Sequence, residues 1–232
     1  MNFIFFGSGE FSWIILEELL KNNYNPILII TIPDKINQQG KTIPLFFKEK
    51  VKKLGFKILE PQSLKDEKVK ETIKENQPQF GIVAQYGKII PKNIIDLFEL
   101  GILNVHPSLL PKYRGANPIQ NVLYNGEKLT GVSIMLIDEL IDHGPILAQK
   151  EIIINEDDDF ESLYLKSAEI SKKLLVETID LDLVADIADV YERAKNTIKY
   201  LADFCESIEA RVKSGEKIER FILTDGNKTR YI

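Results

Sequence analysis

Cysteine and histidine are scarce in this chain of 232 residues, which contains one cysteine and two histidines. The single cysteine, Cys205, cannot form an internal disulfide and supplies no thiolate cluster for a metal ion. The two histidines form no His-Glu-x-x-His motif. The composition therefore argues against a disulfide-stapled domain, and we predict no catalytic metal.

Long hydrophobic runs and an excess of positive charge are also missing. No apolar stretch approaches the roughly 20 residues that a membrane-spanning helix needs. The N-terminal stretch MNFIFFGSGEFSW has no basic region and contains Glu10, which is typical of a first strand and not of a signal peptide. The net charge of −5 argues against a protein that binds nucleic acid by charge alone. We therefore expect a cytoplasmic protein with no membrane partner.

Short apolar runs alternate with amphipathic stretches over most of the chain. The runs predict strands at residues 3–6, 27–32, 57–60, 80–85, 101–105, 131–137 and 146–154. The amphipathic stretches predict helices at residues 11–20, 45–54, 64–76, 94–100, 116–124 and 160–178. This order indicates an α/β fold with a doubly wound, mostly parallel, Rossmann-like sheet. Binding sites in such sheets lie at the carboxyl ends of the strands.

The character of the chain changes after Asp180. We predict a first domain over residues 1–180 and a helical and hairpin C-terminal extension over residues 181–232. Residues 181–214 favour helix, and residues 217–223 and 229–232 can pair around Asp225-Gly226-Asn227, because an Asp-Gly step is a strong hairpin signal.

The stretch NVHPSLLPKYRGANP, residues 104–118, holds three of the ten prolines and one of the two histidines. Asn104 and His106 are two residues apart at the end of a predicted strand, so their side chains share one face. Asp142 follows a later strand, in MLIDELIDHGP. An amide, an imidazole and a carboxylate together can polarise a carbonyl and move a proton. No G-x-S-x-G elbow is present, so a serine hydrolase is not indicated.

The stretch NVHPSLLPKYRGANPIQ, followed by TGVSIMLIDELIDHGPIL, resembles the folate-dependent formyltransferases. Within that family the resemblance is strongest to the catalytic domain of the methionyl-tRNA formyltransferases. It covers about residues 1–178 and includes FIFFGSGEF, PDKINQQGK, LGFKILEPQSL and VAQYGKIIP. The family uses 10-formyltetrahydrofolate to pass a formyl group to an amine.

The resemblance places the family's catalytic residues on Asn104, His106 and Asp142. It implies that Asn104 donates a hydrogen bond to the developing oxyanion, that His106 donates a proton or hydrogen bond, and that Asp142 keeps His106 protonated and moves protons through a water. It implies a folate site formed by Gln85, Tyr86, Gly87, Lys88, Ile89, Ile137, Asp138, Glu139 and Leu140. It implies a substrate-binding mouth formed by Ser108, Tyr113, Arg114 and Gly115.

Three further features have plainer interpretations. Gly7-Ser8-Gly9 is half of a dinucleotide fingerprint, with Ser12 in place of the third glycine, and we interpret it as close helix–strand packing. His143, beside the predicted catalytic acid, is interpreted as tolerated surface variation. Leu110-Pro111 is a candidate cis peptide bond.

The acceptor amine stays open between two alternatives. Methionyl-tRNA formyltransferases carry a further C-terminal β-barrel domain, which we do not find here, and their loop after the second strand is rich in arginine, where this chain has Gln39. The motifs favour charged initiator tRNA, whereas the length, the net charge and the loop favour a nucleotide-linked amino sugar. The terminal hairpin would then lie at the interface of a homodimer. A non-catalytic folate- or nucleotide-binding module is a third alternative.

Overall fold

A seven-stranded sheet with helices on both faces forms the centre of the computed structural model, which describes residues 2–37, 39, 41–180, 222–224 and 229–231. The strands are β1 (Phe3–Gly7), β2 (Leu28–Ile30), β3 (Lys35–Ile36), β4 (Thr42–Ile43), β5 (Ile58–Leu59), β6 (Phe80–Ala84), β7 (Ile102–His106), β8 (Leu129–Leu136), β9 (Ile146–Ile153), β10 (Ile222–Thr224) and β11 (Thr229–Tyr231). The helices are α1 (Glu10–Lys21), α2 (Phe46–Lys53), α3 (Glu67–Glu75), α4 (Lys92–Ile95), α5 (Pro118–Tyr124) and α6 (Phe160–Asp180).

The strand order in the sheet is β5-β2-β1-β6-β7-β8-β9. The first five strands in this order pair in parallel, whereas β7 with β8 and β8 with β9 pair antiparallel. The chain runs from β1 to β2 on one side and returns to β6 on the other, so the order reverses between β1 and β6. The predicted doubly wound, mostly parallel sheet is confirmed.

Alternation of side chains along β1 explains why two separate cores form. Phe3 and Phe5 point into a core with α1, α2, α5 and α6, whereas Ile4 and Phe6 point into a second core with α3 and α4. All four are at most 1% exposed, because helices cover both faces. A strand buried on both sides has no polar face, which is why β1 is a continuous apolar run.

The turn from β1 to α1 packs against β6 through one serine. The Ser12 hydroxyl accepts hydrogen bonds from the amides of Ser8 (2.9 Å) and Gly9 (3.1 Å), and it donates to the carbonyl of Ala84 (2.6 Å). A Cβ on Gly7 would lie 2.7 Å from the Cβ of Ser12, too close for any side chain. The glycine therefore allows helix and strand to pack closely, and Ser12 already occupies the amides of the two residues before α1.

A buried lysine on α2 forms ion pairs with two carboxylates, one of them in the segment between β2 and α2. Lys48 is 5% exposed and pairs with Asp34 at 2.5 Å and with Glu60. Burial lowers the pKa of Lys48, but hydrogen bonds to the two carboxylates raise it more, so the net direction is upward. The hydrogen bond from Lys48 likewise holds the pKa of Asp34 below its ordinary value of 3.8.

Two predicted elements differ from the structure. The short hairpin β3–β4 lies between β2 and α2, where the sequence predicts a loop. It was not predicted because strands of two residues are too short to show any periodicity. The helix predicted at residues 94–100 is a single turn, α4, which begins after Pro91 and ends before Asp96. A proline just before a helix suits that position, since its missing N–H would have no partner there.

The chain divides into two compact units, Met1–Tyr191 and Glu192–Ile232. In the second unit, β10 and β11 pair antiparallel, with Ile222 opposite Tyr231. The predicted helical stretch 181–214 and the turn 225–227 lie outside the described residues. The domain boundary after residue 180 and the homodimer contact stay predictions.

The described residues contain neither a helix suited to a membrane nor a cluster suited to a metal ion. None of the helices there is long and apolar enough to cross a membrane. In the same part of the chain, no group of three or more His, Cys, Asp or Glu side chains is placed to hold a metal ion.

The Lys48 cluster generates a stability prediction. Changing Lys48→Met should lower the melting temperature by roughly 3–8 °C, because it leaves two half-buried carboxylates without their cation. The pKa of Asp34 is lowered in the folded state, so its contribution is present above pH ~4 and is lost as the pH falls through the lowered pKa. The difference between wild type and variant should therefore shrink on acidification.

Calorimetry from neutral pH down through pH ~4 would measure the difference in melting temperature between wild type and variant. The matched control is Lys53→Met, which removes an exposed lysine from the same helix and should change the melting temperature little. Equal losses in the two variants at every pH would contradict the assigned role of Lys48.

Candidate active site

An open cleft lies where the strand order reverses, beyond the carboxyl ends of β1, β6 and β7. Its volume is about 510 Å³, and it is lined by segments that follow these strands together with α5 and α6. The hydroxyl of Ser8, after β1, donates to the carbonyl of Gln85, after β6, at 2.8 Å. This contact fixes the two strand ends beside each other at the position where doubly wound sheets bind ligands.

Asn104, His106 and Asp142 meet in this cleft. Asn104 and His106 lie two residues apart on β7 and therefore point to the same face. The Asn104 side-chain amide donates to Asp142 Oδ1 at 3.1 Å, and Asp142 Oδ2 lies 3.5 Å from His106 Nδ1. The structure thus brings together three side chains that are up to 38 residues apart in the chain.

Asp142 is held in place from two sides. Besides the amide of Asn104, its carboxylate accepts a hydrogen bond from the backbone N–H of Gly115 at 2.8 Å. The backbone of Asp142 has a φ of +46°, which few residues other than glycine adopt without cost. These bonds orient the carboxylate toward the imidazole. Only 14% of the Asp142 side chain remains exposed to solvent.

The ring of His106 is anchored at its other nitrogen. His106 Nε2 lies 3.0 Å from the carbonyl oxygen of Tyr113, and a carbonyl only accepts, so Nε2 carries the hydrogen. The 3.5 Å separation between Nδ1 and the carboxylate is too long for a good hydrogen bond. Nδ1 is therefore the ring nitrogen that remains available to a ligand, with a carboxylate beside it.

The residues predicted for the folate site all border the cleft. Tyr86 does so with a ring that packs edge-on against Phe6, at a centroid distance of 5.6 Å, within the second core. Lys88 turns its ammonium away to donate to the carbonyls of Pro61 and Gln62, each at 2.9 Å. Ile89 and Leu140 are 74% and 61% exposed, so aliphatic groups form the cleft's open side. Neither the phenol of Tyr86 nor the ammonium of Lys88 is placed as a ligand contact.

Of the four residues predicted for the substrate mouth, only Gly115 lines the cleft. Ser108 is fully buried, and its hydroxyl donates to the carbonyl of Lys112 at 2.8 Å. Tyr113 turns its ring away, and its hydroxyl donates to Glu127 at 2.8 Å. Arg114 is exposed outside the cleft. The cleft is therefore lined by one of the four residues, and a role for Ser108, Tyr113 and Arg114 in binding the acceptor stays a prediction.

Aromatic residues that the sequence analysis missed close the other end of the cleft. Phe11, Phe160 and Tyr164 line it, and the Tyr164 hydroxyl accepts the N–H of Phe11 at 2.8 Å. The pKa of the Tyr164 phenol is raised, and burial is the largest cause of this shift. Phe160 and Tyr164 are four residues apart on α6, a spacing that places two side chains on one helix face and was the available signal. Phe11 comes from the start of α1, which no local pattern connects to α6.

His143 makes a specific contact that its interpretation as surface variation did not include. Its Nδ1 lies 2.6 Å from Asp138 Oδ2, and the other oxygen of Asp138 accepts the N–H of Leu140 at 2.9 Å. His143 thus braces the turn that leads to Asp142. The predicted cis bond between Leu110 and Pro111 is present.

Comparison with known proteins adds to this geometry. Residues 1–179 match the protein family described as "Formyl transferase". The methionyl-tRNA formyltransferase of Thermodesulfovibrio yellowstonii is 45% identical over 178 residues, which are 76% of this chain and 58% of that protein. The methionyl-tRNA formyltransferase of Thermotoga maritima is 40% identical over 181 residues, with coverage of 78% and 58%. The chain therefore spans about 58% of the length of these relatives.

Solved structures agree with the fold. The crystal structure of phosphoribosylglycinamide formyltransferase from Bacillus halodurans superposes with a TM-score of 0.64 at 28% sequence identity. The match covers 75% of this chain and 91% of that one. The sheet and its helices are thus shared with a formyltransferase over nearly the whole length of that protein.

The buried phenol of Tyr86 generates a prediction for alkaline pH. Burial raises the pKa of Tyr86 to about 12, from an ordinary 10.0. A raised pKa means that the stabilisation is fully present below pH ~10 and is lost as the pH rises toward the folded value. The free energy of unfolding should therefore fall between pH ~10 and ~12, and less so in Tyr86→Phe.

Denaturant unfolding at several alkaline pH values would test this. At neutral pH, Tyr86→Phe should be as stable as wild type or more so, since the hydroxyl has no hydrogen-bond partner in the described part of the chain. Tyr124→Phe, at a position that is 90% exposed, is the matched control and should behave like wild type. A Tyr86→Phe variant with the full alkaline loss would contradict the burial effect.

Proposed function

The chain belongs to the formyl transferase family, and from this premise we propose that it transfers the formyl group of 10-formyltetrahydrofolate to the amino group of methionyl-tRNA. The observation that carries the proposal is the meeting of Asn104, His106 and Asp142 inside one cleft. A non-catalytic binding module would not need this arrangement of an amide, an imidazole with a free nitrogen, and a carboxylate.

The cleft suits a folate in size and in chemistry. Its volume of about 510 Å³ lies within the range of small-molecule sites, roughly 300–1,000 Å³. Aliphatic side chains such as Ile89, Ile137 and Leu140 offer flat apolar contact to a ring. The segment 85–89 would hold the ring edge largely through its backbone, since the side chains of Tyr86 and Lys88 point elsewhere.

When bound, 10-formyltetrahydrofolate supplies a formyl carbon attached to nitrogen. Asn104 has two amide hydrogens, and one donates to Asp142, so the second is left to stabilise negative charge on the formyl oxygen. His106 presents Nδ1, which accepts a proton when neutral and donates one when charged. Asp142 stabilises the charged imidazole from 3.5 Å away.

The reaction needs one proton to move. A bond forms between the acceptor nitrogen and the formyl carbon while the bond from that carbon to the folate nitrogen breaks. The acceptor amine loses one proton and the folate nitrogen gains one. His106 Nδ1 and the Asp142 carboxylate lie side by side at the position where such a proton would pass. Charge and protons therefore balance without a metal or an oxidant.

Relatives named for methionyl-tRNA support that acceptor over a nucleotide-linked amino sugar. Two of them are 40% and 45% identical to this chain. The net charge of −5 and the exposed Gln39, in the loop after β2, weaken the attraction of the protein for tRNA phosphates. Neither feature alters the residues that line the cleft. Because the chain spans about 58% of these relatives, a direct assay with both acceptors tests this choice.

Replacement of two of the three cleft residues tests the chemistry. Asn104→Ala should reduce kcat by about 10²–10³-fold, because it removes one oxyanion donor. Asp142→Asn preserves the shape of the side chain but removes its charge, and should reduce kcat strongly with little change in melting temperature. Formyl transfer with labelled donor would be measured, with Asn25→Ala, in a distant exposed turn, as the control. Near wild-type kcat in Asn104→Ala would rule out the oxyanion role.

A competition between acceptors tests the substrate. With 10-formyltetrahydrofolate as donor, charged initiator tRNA and a nucleotide-linked 4-amino sugar are offered separately and together. We expect formylated methionyl-tRNA and no formylated sugar. Formylation of the sugar alone would replace the proposed acceptor, and formylation of neither would contradict the proposed activity.

A further inference from the structure

A row of side chains crosses three strands beneath the catalytic histidine. His106 on β7 is directly opposite Ser133 on β8, and Ser133 is opposite Gln149 on β9. Directly opposed residues of an antiparallel pair point to the same face. The three side chains therefore lie on the face that also carries the segment 107–115, which we call the proline loop.

Ser133 uses every hydrogen-bonding capacity of its hydroxyl on the proline loop and on Gln149. It is fully buried and donates to the carbonyl of Ser108 at 2.7 Å. It accepts the N–H of Leu110 at 3.1 Å and the side-chain amide of Gln149 at 2.8 Å. A serine hydroxyl has one hydrogen and two lone pairs, so all three are satisfied.

Gln149, on the edge strand β9, also bonds to the proline loop. Its Nε2 donates both to Ser133 and to the carbonyl of Leu110, the latter at 2.9 Å. A second amide hydrogen makes this double donation possible, and a carboxylate at this position would have none. Ser133 and Gln149 together hold both backbone groups of Leu110.

The loop sits directly on the sheet at this point. A Cβ on Gly131 would lie 2.2 Å from the backbone carbonyl oxygen of Lys150 and 2.5 Å from a methyl carbon of Leu109, so the glycine leaves room both for the neighbouring strand and for the loop. Further along, Ser108 donates to the carbonyl of Lys112 at 2.8 Å, which closes the loop before Tyr113. Each bond restricts the path by which the chain returns to the histidine.

The loop ends in a contact that orients the His106 ring at Nε2. Tyr113 has a φ of +59°, a left-handed conformation that is unfavourable for a residue other than glycine. That conformation presents its carbonyl to Nε2 at 3.0 Å. Other contacts must therefore stabilise the proline loop in this conformation. Ser133 and Gln149 provide them near the start of the loop, at Ser108 and Leu110.

We infer that Ser133 and Gln149 are positioning residues, which hold the proline loop so that Tyr113 keeps the hydrogen of His106 on Nε2 and leaves Nδ1 for the reaction. Neither side chain lines the cleft or is placed to touch the substrate. Their effect on catalysis rests on the proposed function, but their effect on the histidine does not.

Gln149→Glu is the most informative variant. Gln149 belongs to an exposed edge position, so this isosteric change does not disturb packing, yet it removes both donated hydrogen bonds and faces the Leu110 carbonyl with a carboxylate. Ser133→Ala is the second variant. Glu151→Gln, an exposed exchange between acid and amide two residues along β9, is the matched control.

Nuclear magnetic resonance of the whole chain, labelled with ¹⁵N-histidine, reads the effect without any substrate. The chain has two histidines, so a His143→Gln sample assigns both imidazoles. In wild type we expect a slowly exchanging hydrogen on His106 Nε2. In Gln149→Glu and Ser133→Ala this exchange should be at least about tenfold faster, while the control matches wild type.

Kinetics provide the second measurement. Both variants should lose roughly 10- to 100-fold in kcat with little change in KM for the folate, because the loop misplaces the histidine and leaves the donor site intact. Unchanged exchange in Gln149→Glu, with unchanged kcat, would overturn the inference. Faster exchange in the two variants, together with a wild-type protein that transfers no formyl group, would overturn the proposed function alone.

Discussion

The carboxylate of Asp142 is the group on which the site depends. It accepts the Asn104 amide, accepts the Gly115 N–H and lies beside His106 Nδ1, so one side chain connects the end of β7, the proline loop and the turn after β8. A partly buried carboxylate with two donors is strongly oriented, because rotating it would leave polar groups unpaired. The same orientation places negative charge where the imidazole can become positive.

Backbone conformation is the second constraint around the cleft. Four non-glycine residues with left-handed φ values border it or contact its residues: Gln85, Tyr113, Asn117 and Asp142. Such conformations persist only where the surrounding structure holds them, and side chains of β7 bond two of the four, Asn104 to Asp142 and His106 to Tyr113. The polar side chains of the sheet therefore hold loop residues in place beside the cleft.

Much of the fold followed from local pattern. Continuous apolar runs such as β1 and β6 identify strands buried on both faces, and their alternation with amphipathic stretches indicates a parallel, doubly wound sheet. The pairing of β8 with β7 and β9 in antiparallel order was not predictable in this way, because strand direction depends on the path of the connecting chain. The β3–β4 hairpin and the single turn of α4 were beyond reach because elements of two to four residues show no period.

The sequence by itself determined the chemical types at the site, since Asn104 and His106 share a strand face at any two-residue spacing and their motif resembles a known family. It also determined that these groups stand at the carboxyl end of a strand. Only the tertiary structure decided that Ser108, Tyr113 and Arg114 turn away, that the aromatic residues of α1 and α6 close the cleft, and that Ser133 and Gln149 hold the loop above them. The physical reason is that side-chain direction in a loop is set by hydrogen bonds to strands far away in the chain, and no local repeat records those bonds.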